Sequence, residues 1–138
     1  MYQNIIVPID LGQLENGKTS ITLARGLVND GGSIHLVNVV ENIAMAGGPH
    51  MPMNFMKECE DQARKSMKEL YEEEGLGEGG SWNVLLGPAA MRILDYAEEH
   101  NGDLVIVASH RPGLKDYFLG STAGRVVRHA QCPVLVNR

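Results

Sequence analysis

A segment in the last third of the chain contains the basic and small residues that are typical of anion-binding sites. His110, Arg111 and Lys115 lie in a polar segment that leads to Gly120-Ser121-Thr122, where an amphipathic helical run begins. The first amides of a helix lack intrahelical partners and carry the positive end of its dipole, so they attract anions. Arginine adds a planar set of donors that suits phosphate. These residues therefore predict phosphate binding, with Arg111 as a direct contact.

Asp10 is the clearest carboxylate candidate, because it directly follows the first predicted strand. An aspartate there could accept hydrogen bonds from a ribose or an adenine group, or act as an outer ligand of a magnesium-bound phosphate. It could also cap the turn that follows the strand. Both interpretations stay open at this point.

The segment Gly12–Thr19 matches the P-loop pattern G-x-x-x-x-G-K-[ST] and lies between a predicted strand and a predicted helix. We nevertheless interpret it as a chance match at a helix start. Glu15 would bring negative charge to the phosphates, and Leu14 is bulky where a phosphate loop requires small residues. In addition, strand four carries Asp103 at its start, whereas such enzymes hold magnesium with an aspartate at a strand end.

The histidines do not have the spacing of metal ligands, since none lies four residues from another. They are His35, His50, His100, His110 and His129. The sequence identifies no His/Asp pair that would activate the hydroxyls of Ser109, Ser121 or Thr122, so it does not demonstrate nucleophilic catalysis. We therefore predict neither a metal ligated by the protein nor a catalytic residue.

Composition indicates one soluble globular domain spanning residues 1–138. Hydrophobic residues make up 43% of the chain and charged residues 21%, and the net charge of −5 argues against a nucleic-acid partner. Apolar runs are too short to cross a bilayer, and Asn4 and Asp10 interrupt the N-terminus too early for a signal peptide. We therefore expect a cytoplasmic protein without a membrane partner, with Cys59 and Cys132 reduced and buried.

Periodicity predicts strands that alternate with helices. Runs rich in Val, Ile and Leu are typical of strands buried on both faces, as in a parallel sheet between helix layers. The predicted strands are Asn4–Ile9, Ser33–Val40, Trp82–Leu86, Leu104–Ala108 and Val134–Val136. The predicted apolar helix faces are Ile21, Ala24, Leu27 and Val28 in the first helix, Met56, Cys59, Ala63, Met67 and Leu70 in the second, Ala90, Ile93, Leu94 and Ala97 in the third, and Ala123, Val126, Val127 and Ala130 in the fourth. This alternation predicts an α/β fold: a doubly wound, Rossmann-like, five-stranded parallel sheet of order 3-2-1-4-5 with four helices.

This topology predicts where a ligand would bind. In an open α/β sheet, ligands bind beyond the carboxyl ends of the strands, where the strand order reverses. The segments expected to meet there are Asp10-Leu11-Gly12 after strand one, the chain from Val39 onward after strand two, and residues 108–122 after strand four. The anion site and the Asp10 carboxylate should therefore lie at one edge of the sheet.

Several segments together resemble a known family. They are Ile6-Val7-Pro8-Ile9-Asp10, Ile106–Pro112, Leu119-Gly120-Ser121, Val126–Ala130 and Cys132–Val136. Across its whole length the chain is similar to the universal stress proteins, whose nucleotide-binding members have G-x-x-G, nine residues and then G-[ST]. Here Gly120-Ser121 matches the last pair, whereas Ala108 and Arg111 replace the two glycines and the spacer is one residue shorter. This pattern resembles the small single-domain bacterial branch lettered F and G.

The resemblance implies that the chain binds ATP or AMP, with magnesium accompanying ATP. Pro8, Ile9 and Asp10 would border the adenosine, and Val39 would contact the adenine through its main chain. The residues implied along the ribose and the phosphates are Ala108, Ser109, His110, Arg111, Gly120, Ser121 and Thr122.

The resemblance also implies a stress-response sensor or regulator that forms a homodimer through the last strand. An apolar edge strand such as Val134–Val136 has unpaired backbone groups that favour a partner strand. Two alternatives stay open. The first is a slow magnesium-dependent ATPase, in which Asp10 helps to position the metal. The second is a nucleotide-free dimeric interaction module, in which Ala108 and Arg111 close the pocket.

Overall fold

The computed structural model describes residues 1–41, 54–109 and 119–138. Its strands are β1 (Tyr2–Pro8), β2 (Val28–Val40), β3 (Gly80–Leu86), β4 (Leu104–Ala108) and β5 (Val134–Asn137). Its helices are α1 (Leu14–Leu27), α2 (Phe55–Glu74), α3 (Ala89–Glu99) and α4 (Ser121–His129), and a short 3-10 turn covers Gly77–Gly79. The predicted phosphate contacts His110 and Arg111 lie outside the described residues, as does Lys115.

The strands form one parallel sheet of order β3-β2-β1-β4-β5. This confirms the predicted α/β fold and its strand order. β2 pairs with one side of β1 and β4 with the other, so the order reverses at β1. Helices α1 and α2 cover one face of the sheet, and α3 and α4 cover the other.

β1 is apolar because it contributes side chains to both core layers. Ile5 and Val7 pack in the layer under α1 and α2, whereas Ile6 packs in the layer under α3 and α4. All three side chains are fully buried. Burial of one such side chain stabilises the fold by about 1.5–3 kcal/mol, which explains why this strand lacks the polar alternation of a half-exposed strand.

The beginning of β2 differs from the prediction. Helical spacing predicts Val28 on the first helix, but in the structure this residue starts β2 opposite Tyr2. The next four residues, 29–32, form an irregularity in the pairing with β1. Gly32 is required there, since a Cβ atom would lie 2.9 Å from a carbonyl oxygen of β1. Strand pairing at this position therefore overrides the helical pattern of the local sequence.

The cysteines are free thiols, and both are partly exposed, so the prediction that they are buried is wrong. Cys132 packs against the layer under α3 and α4. Burial raises the pKa of this thiol, and the nearby Asp103 carboxylate raises it further. A raised pKa keeps the thiol protonated at neutral pH, which lowers its reactivity.

Polar side chains at the amino end of the sheet form a group that we name the amino-end cluster. Its members are Asn4, His35, Ser81, Tyr96 and His100. The His35 ring bonds through Nδ1 to Ser81 Oγ at 2.8 Å, and its Nε2 lies 3.3 Å from Asn4 Oδ1. The rings of Tyr96 and His100 stack with centroids 3.8 Å apart. These side chains therefore bond to and stack on one another at this end of the sheet.

Candidate ligand-binding site

A cleft of about 530 Å³ opens at the carboxyl end of the sheet. It lies where β2 and β4 pair with opposite sides of β1, which is where the topology predicts a ligand site. Its walls include the ends of β1, β2 and β4 and the starts of α1, α3 and α4. Sites for small molecules and cofactors typically have volumes of about 300–1,000 Å³, so this cleft has the size of a ligand site.

Every described member of the predicted nucleotide site borders this cleft. These residues are Pro8, Ile9, Asp10, Val39, Ala108, Ser109, Gly120, Ser121 and Thr122. They belong to three separate parts of the chain, which the parallel sheet brings to one edge. The predicted members His110 and Arg111 fall in the undescribed segment 110–118, so the structure assigns them no position.

Asp10 shapes the turn between β1 and α1. Its Oδ1 accepts a hydrogen bond from the Gly12 amide at 2.9 Å, and its carbonyl oxygen accepts one from the Gln13 amide at 2.9 Å. Asp10 therefore has the capping role that the sequence left open, and it also borders the cleft. A carboxylate has acceptor sites on two oxygens, so one bond to Gly12 leaves acceptor capacity for a ligand.

The end of β2 extends past β1 and borders the cleft. The register between the two strands ends with Pro8 opposite Val37, and β2 continues through Val39 to Val40. On its other side, Val39 pairs with Leu85 of β3. The main chain of Val39 is therefore fixed by β3 while one of its edges lies beyond the end of the β1 ladder.

Asn38 belongs to this site, although the sequence analysis missed it. Its side chain is buried, with 8% of its surface exposed, and its Nδ2 donates to the Ile9 carbonyl at 2.9 Å. The Ile9 amide donates to the Val37 carbonyl at 2.8 Å, so Ile9 is held to β2 at both main-chain groups. Asn38 is the only polar residue in an otherwise apolar run from 36 to 40. That interruption is the signal that could have identified it.

The N-terminal turn of α4 faces the cleft with some of its donors already used. The Gly120 amide donates to Ser109 Oγ at 3.0 Å, and the Gly124 amide donates to the Gly120 carbonyl at 2.8 Å, which begins the helix. The amides of Ser121 and Thr122 belong to the first turn, where no intrahelical acceptor exists. The donors that this turn offers to an anion are therefore the amides after Gly120 and the two hydroxyl groups.

Space remains beside Gly120. Among the described atoms within 4 Å, a Cβ atom at this position would meet Ser109 Oγ alone, at 3.9 Å. Its backbone angles, φ −58° and ψ 156°, are open to any residue. Neither the packing of the described atoms nor the backbone conformation therefore requires a glycine here, and the space beside it belongs to the cleft.

The P-loop-like segment forms a helix and no phosphate cradle. α1 begins at Leu14, so the last six positions of the motif have helical backbone. Lys18 Nζ lies 3.7 Å from a Glu15 carboxylate oxygen and 3.6 Å from one of Glu73. A Cβ atom at Gly17 would lie 3.1 Å from Ile9 Cδ1, so this glycine allows the helix to approach the end of β1 closely. The interpretation as a chance match agrees with this geometry.

The described lining is acidic apart from the helix dipoles. Asp10 and Glu41 border the cleft, and the described lining includes no lysine or arginine. Positive potential in the described part of the site therefore comes from the starts of α1, α3 and α4. Polar side chains of α1, Gln13 and Asn16, also border the cleft and were missed in the sequence analysis, because they lie within the discounted P-loop match.

Two kinds of feature are absent from residues 1–41, 54–109 and 119–138. No group of three or more His, Cys, Asp or Glu side chains could hold a metal ion among them. No helix in these ranges combines the length and the apolar character needed to span a membrane.

Curated relatives match the chain from end to end. Universal stress protein G of Escherichia coli O157:H7 is 28% identical over 142 aligned positions, covering 100% of both chains. A universal stress protein of Methanocaldococcus jannaschii is 30% identical and covers 99% of this chain and 82% of its own length.

Solved structures share the fold. Universal stress protein UspA from Lactobacillus plantarum matches with a TM-score of 0.72 and 24% identity, covering 99% of this chain and 98% of its own. A universal stress protein from Archaeoglobus fulgidus in complex with dAMP matches with a TM-score of 0.57 and 18% identity, over 99% of this chain and 98% of its own. A universal stress protein in complex with cAMP matches with a TM-score of 0.64 and 16% identity, over 99% and 97%.

The sequence model of the universal stress protein family matches residues 1–138. This match spans every strand and helix of the sheet and all three segments that form the cleft. The chain therefore belongs to the universal stress protein family.

Proposed function

We propose that this protein binds an adenine nucleotide, ATP or AMP, and acts in the cytoplasm as a stress-response sensor or regulator. One observation carries the proposal: the end of β1, the end of β2 and the N-terminal turn of α4 meet around a single cleft of about 530 Å³. The complexes of two fold neighbours with dAMP and cAMP support the choice of an adenine nucleotide.

The adenosine would occupy the side of the cleft formed by β1 and β2. Pro8 and Ile9 offer apolar surface beside the end of the sheet. The main chain of Val39 lies beyond the last β1 pair, where a planar base can form hydrogen bonds with it. The Asp10 carboxylate donates nothing and bonds to Gly12 through Oδ1, so it can still accept hydrogen bonds from the hydroxyl groups of the ribose.

The phosphates would occupy the side formed by β4 and α4. Amides and hydroxyl groups of Ser121 and Thr122 lie at the positive end of α4, where an anion is stabilised. His110 and Arg111 follow β4 in sequence, and Ser109 lies at the cleft. Arg111 would supply the positive charge that the described lining lacks.

Magnesium would accompany ATP rather than occupy a site of its own. Mg²⁺ commonly binds to one or two carboxylates together with substrate phosphates and water. Asp10 is the described carboxylate that fits this indirect role, since it borders the cleft and has a free acceptor position. The ion would offset the repulsion between the phosphates and the carboxylates of the site.

A nucleotide-free interaction module is the competing function. The bond between the Gly120 amide and Ser109 Oγ favours it, because this donor is already used inside the protein.

For either function we propose a homodimer formed by β5. This strand lies at the edge of the sheet and presents partly exposed apolar side chains over 134–136.

Mass spectrometry of the ligand released from freshly purified, denatured protein tests the proposal. AMP, ADP or ATP at near-stoichiometric amount is the expected result, and calorimetric titration with the same nucleotides should then give saturable binding. A sample that releases no nucleotide and binds none in titration would favour the interaction module. Loss of ATP over several hours with Mg²⁺ present would instead support the slow ATPase.

A further inference from the structure

The last residue of β5 connects the two sides of the cleft. Asn137 Nδ2 donates to Ser20 Oγ at 3.2 Å and lies 3.4 Å from the Asn16 carbonyl oxygen, so it contacts α1. The Asn137 carbonyl oxygen accepts a hydrogen bond from the Ser109 amide at 2.9 Å, just after β4. One residue therefore holds α1 with its side chain and the end of β4 with its main chain.

These contacts continue to the start of α4. Ser109 Oγ accepts the Gly120 amide at 3.0 Å, so the residue that bonds to Asn137 also holds the residue directly before α4. The resulting chain of bonds runs from α1 through Asn137 and Ser109 to Gly120. Asn16, Ser109 and Gly120 all border the cleft, whereas Asn137 does not. Asn137 thus acts on the walls of the site from outside it.

Burial makes the contact with α1 specific. Ser20 is fully buried, and a buried hydroxyl that lacks a partner destabilises the protein. The planar amide of Asn137 reaches two acceptors that are one helical turn apart on α1. A side chain without this donor would leave α1 free to move relative to β5 and to the N-terminal turn of α4.

We propose that Asn137 is a positioning residue that sets the distance between α1 and the first turn of α4, and so the fit of the phosphate groups in the cleft. The inference rests on the proposed function and refines it. Among the described residues, the Asn137 side chain bonds to Asn16 and Ser20 and its main chain bonds to Ser109. Loss of the side chain should therefore weaken recognition of the phosphates while the adenosine side keeps its contacts.

The test compares the affinities of ATP and adenosine, measured by calorimetry at one salt concentration. In the unmodified protein the ratio of the two affinities reports recognition of the phosphates. Asn137→Ala should reduce this ratio by about tenfold, as expected for the displacement of one or two hydrogen-bonded donors. Asn137→Asp keeps the volume and the β5 pairing, and it should reduce the ratio at least as much, because a carboxylate cannot donate to the α1 carbonyl.

Asn83→Ala is the matched control. Asn83 Nδ2 donates to the Tyr96 hydroxyl at 3.1 Å and Asn83 does not border the cleft, so this variant also loses an asparagine hydrogen bond but leaves the cleft lining intact. It should lower the melting temperature without changing the affinity ratio.

The outcome for folded Asn137→Asp decides the inference. If its affinity ratio equals that of the unmodified protein, the inference is overturned and the proposed function still stands. If the unmodified chain binds neither adenosine nor ATP, the proposed function fails, and the role assigned to Asn137 fails with it.

Discussion

Polar side chains occur at both ends of the sheet, but they have different partners. At the amino end, the Asp103 carboxylate accepts the amides of Gln3 and Asn4 at 2.7 and 2.9 Å, and His35 bonds to Ser81. At the carboxyl end, Asp10 and the start of α4 border a cleft of about 530 Å³. The amino end is thus a closed network that stabilises the fold, and the carboxyl end is open around a cleft.

Glycines at the two ends show the same contrast. A Cβ atom at Gly80, where β3 begins, would lie 2.5 Å from the Ile34 carbonyl oxygen and 3.3 Å from the Tyr71 hydroxyl. At Gly120 the nearest described atom would be 3.9 Å away. The backbone is therefore tightly packed at the amino end, whereas the carboxyl end contains space that the described part of the protein does not fill.

The largest effect is expected from adding a methyl group at the amino end. Gly80→Ala should destabilise the protein by about 3 kcal/mol, because the Ile34 main chain must move to accept the Cβ atom. Gly120→Ala is its counterpart at the carboxyl end and should cost less than about 1 kcal/mol, the loss expected at an N-cap position. Urea unfolding of both variants measures the difference. Equal losses of stability would contradict the distinction between a closed end and an open end.

Removal of positive charge after β4 should affect binding and leave stability unchanged. Arg111→Ala is expected to weaken ATP binding by about 2 kcal/mol, the value of a hydrogen bond from a charged group. Arg128→Ala is the control, since Arg128 lies in the last turn of α4, away from the cleft-facing start. Calorimetric affinities that are the same in both variants would remove Arg111 from the site.

Asn38 should contribute to both stability and binding. Asn38→Ala leaves the buried Ile9 carbonyl without its side-chain donor and should destabilise the protein by about 1–2 kcal/mol. It should also weaken nucleotide binding, because Ile9 loses one of its two hydrogen bonds to β2 and the adjoining Asp10 is held less firmly. Ser81→Ala, which removes a hydrogen bond to His35 in the amino-end cluster, should reduce stability alone. Thermal unfolding and nucleotide titration of the pair distinguish the two ends, and an unchanged affinity in Asn38→Ala would contradict its assignment to the site.

The smallest effect concerns pH at the amino end. Burial lowers the pKa of His35, and the charge of His100 lowers it further. In the unfolded chain His35 takes up a proton near pH 6.5, whereas in the folded protein it does so only at lower pH. The contribution of His35 to stability is therefore complete above that pH and decreases as the pH falls below it. His35→Gln should flatten the dependence between pH 7.5 and about 5.5 in chemical unfolding, whereas His129→Gln, on the exposed end of α4, should not. If the free energy of unfolding depends on pH in the same way in His35→Gln and in the unmodified protein, the amino-end cluster does not oppose protonation of His35.

The sequence predicted the fold well because both core layers depend on periodic apolar side chains. Continuous apolar runs identified each strand of the sheet, and helical spacing identified each helix. Two residues were exceptions. Val127, predicted on the apolar face of the fourth helix, is 43% exposed, and Val28 fits the spacing of α1 but its backbone pairs with Tyr2. Pairing with a distant strand is not visible in the local pattern, so the boundary between α1 and β2 could not be predicted.

The candidate site was predicted in part. Residues that follow β1 and β4 or that open α4 could be identified because topology places them at one edge of the sheet. Asn38 interrupts an apolar run, which marks it as unusual, and Asn137 follows one. The role of each still depends on which carbonyl or hydroxyl group the fold brings opposite its side chain, and the sequence does not show this. The three-dimensional structure therefore added Asn38 and Asn137, whereas the sequence had indicated the ends of β1 and β4 and the start of α4 that border the cleft.

β1 precedes the other strands of the sheet in the chain and lies at the centre of the finished sheet. Its pairing with β2 requires only the first third of the chain, but its other edge pairs with β4, and Asn4 and Asp103 in contact there are 99 positions apart. A partly synthesised chain consequently exposes one edge of β1 to aggregation until the last third has been made. Since β4 and α4 form one wall of the cleft, a small molecule held there would bind completed chains only and would protect them selectively from unfolding.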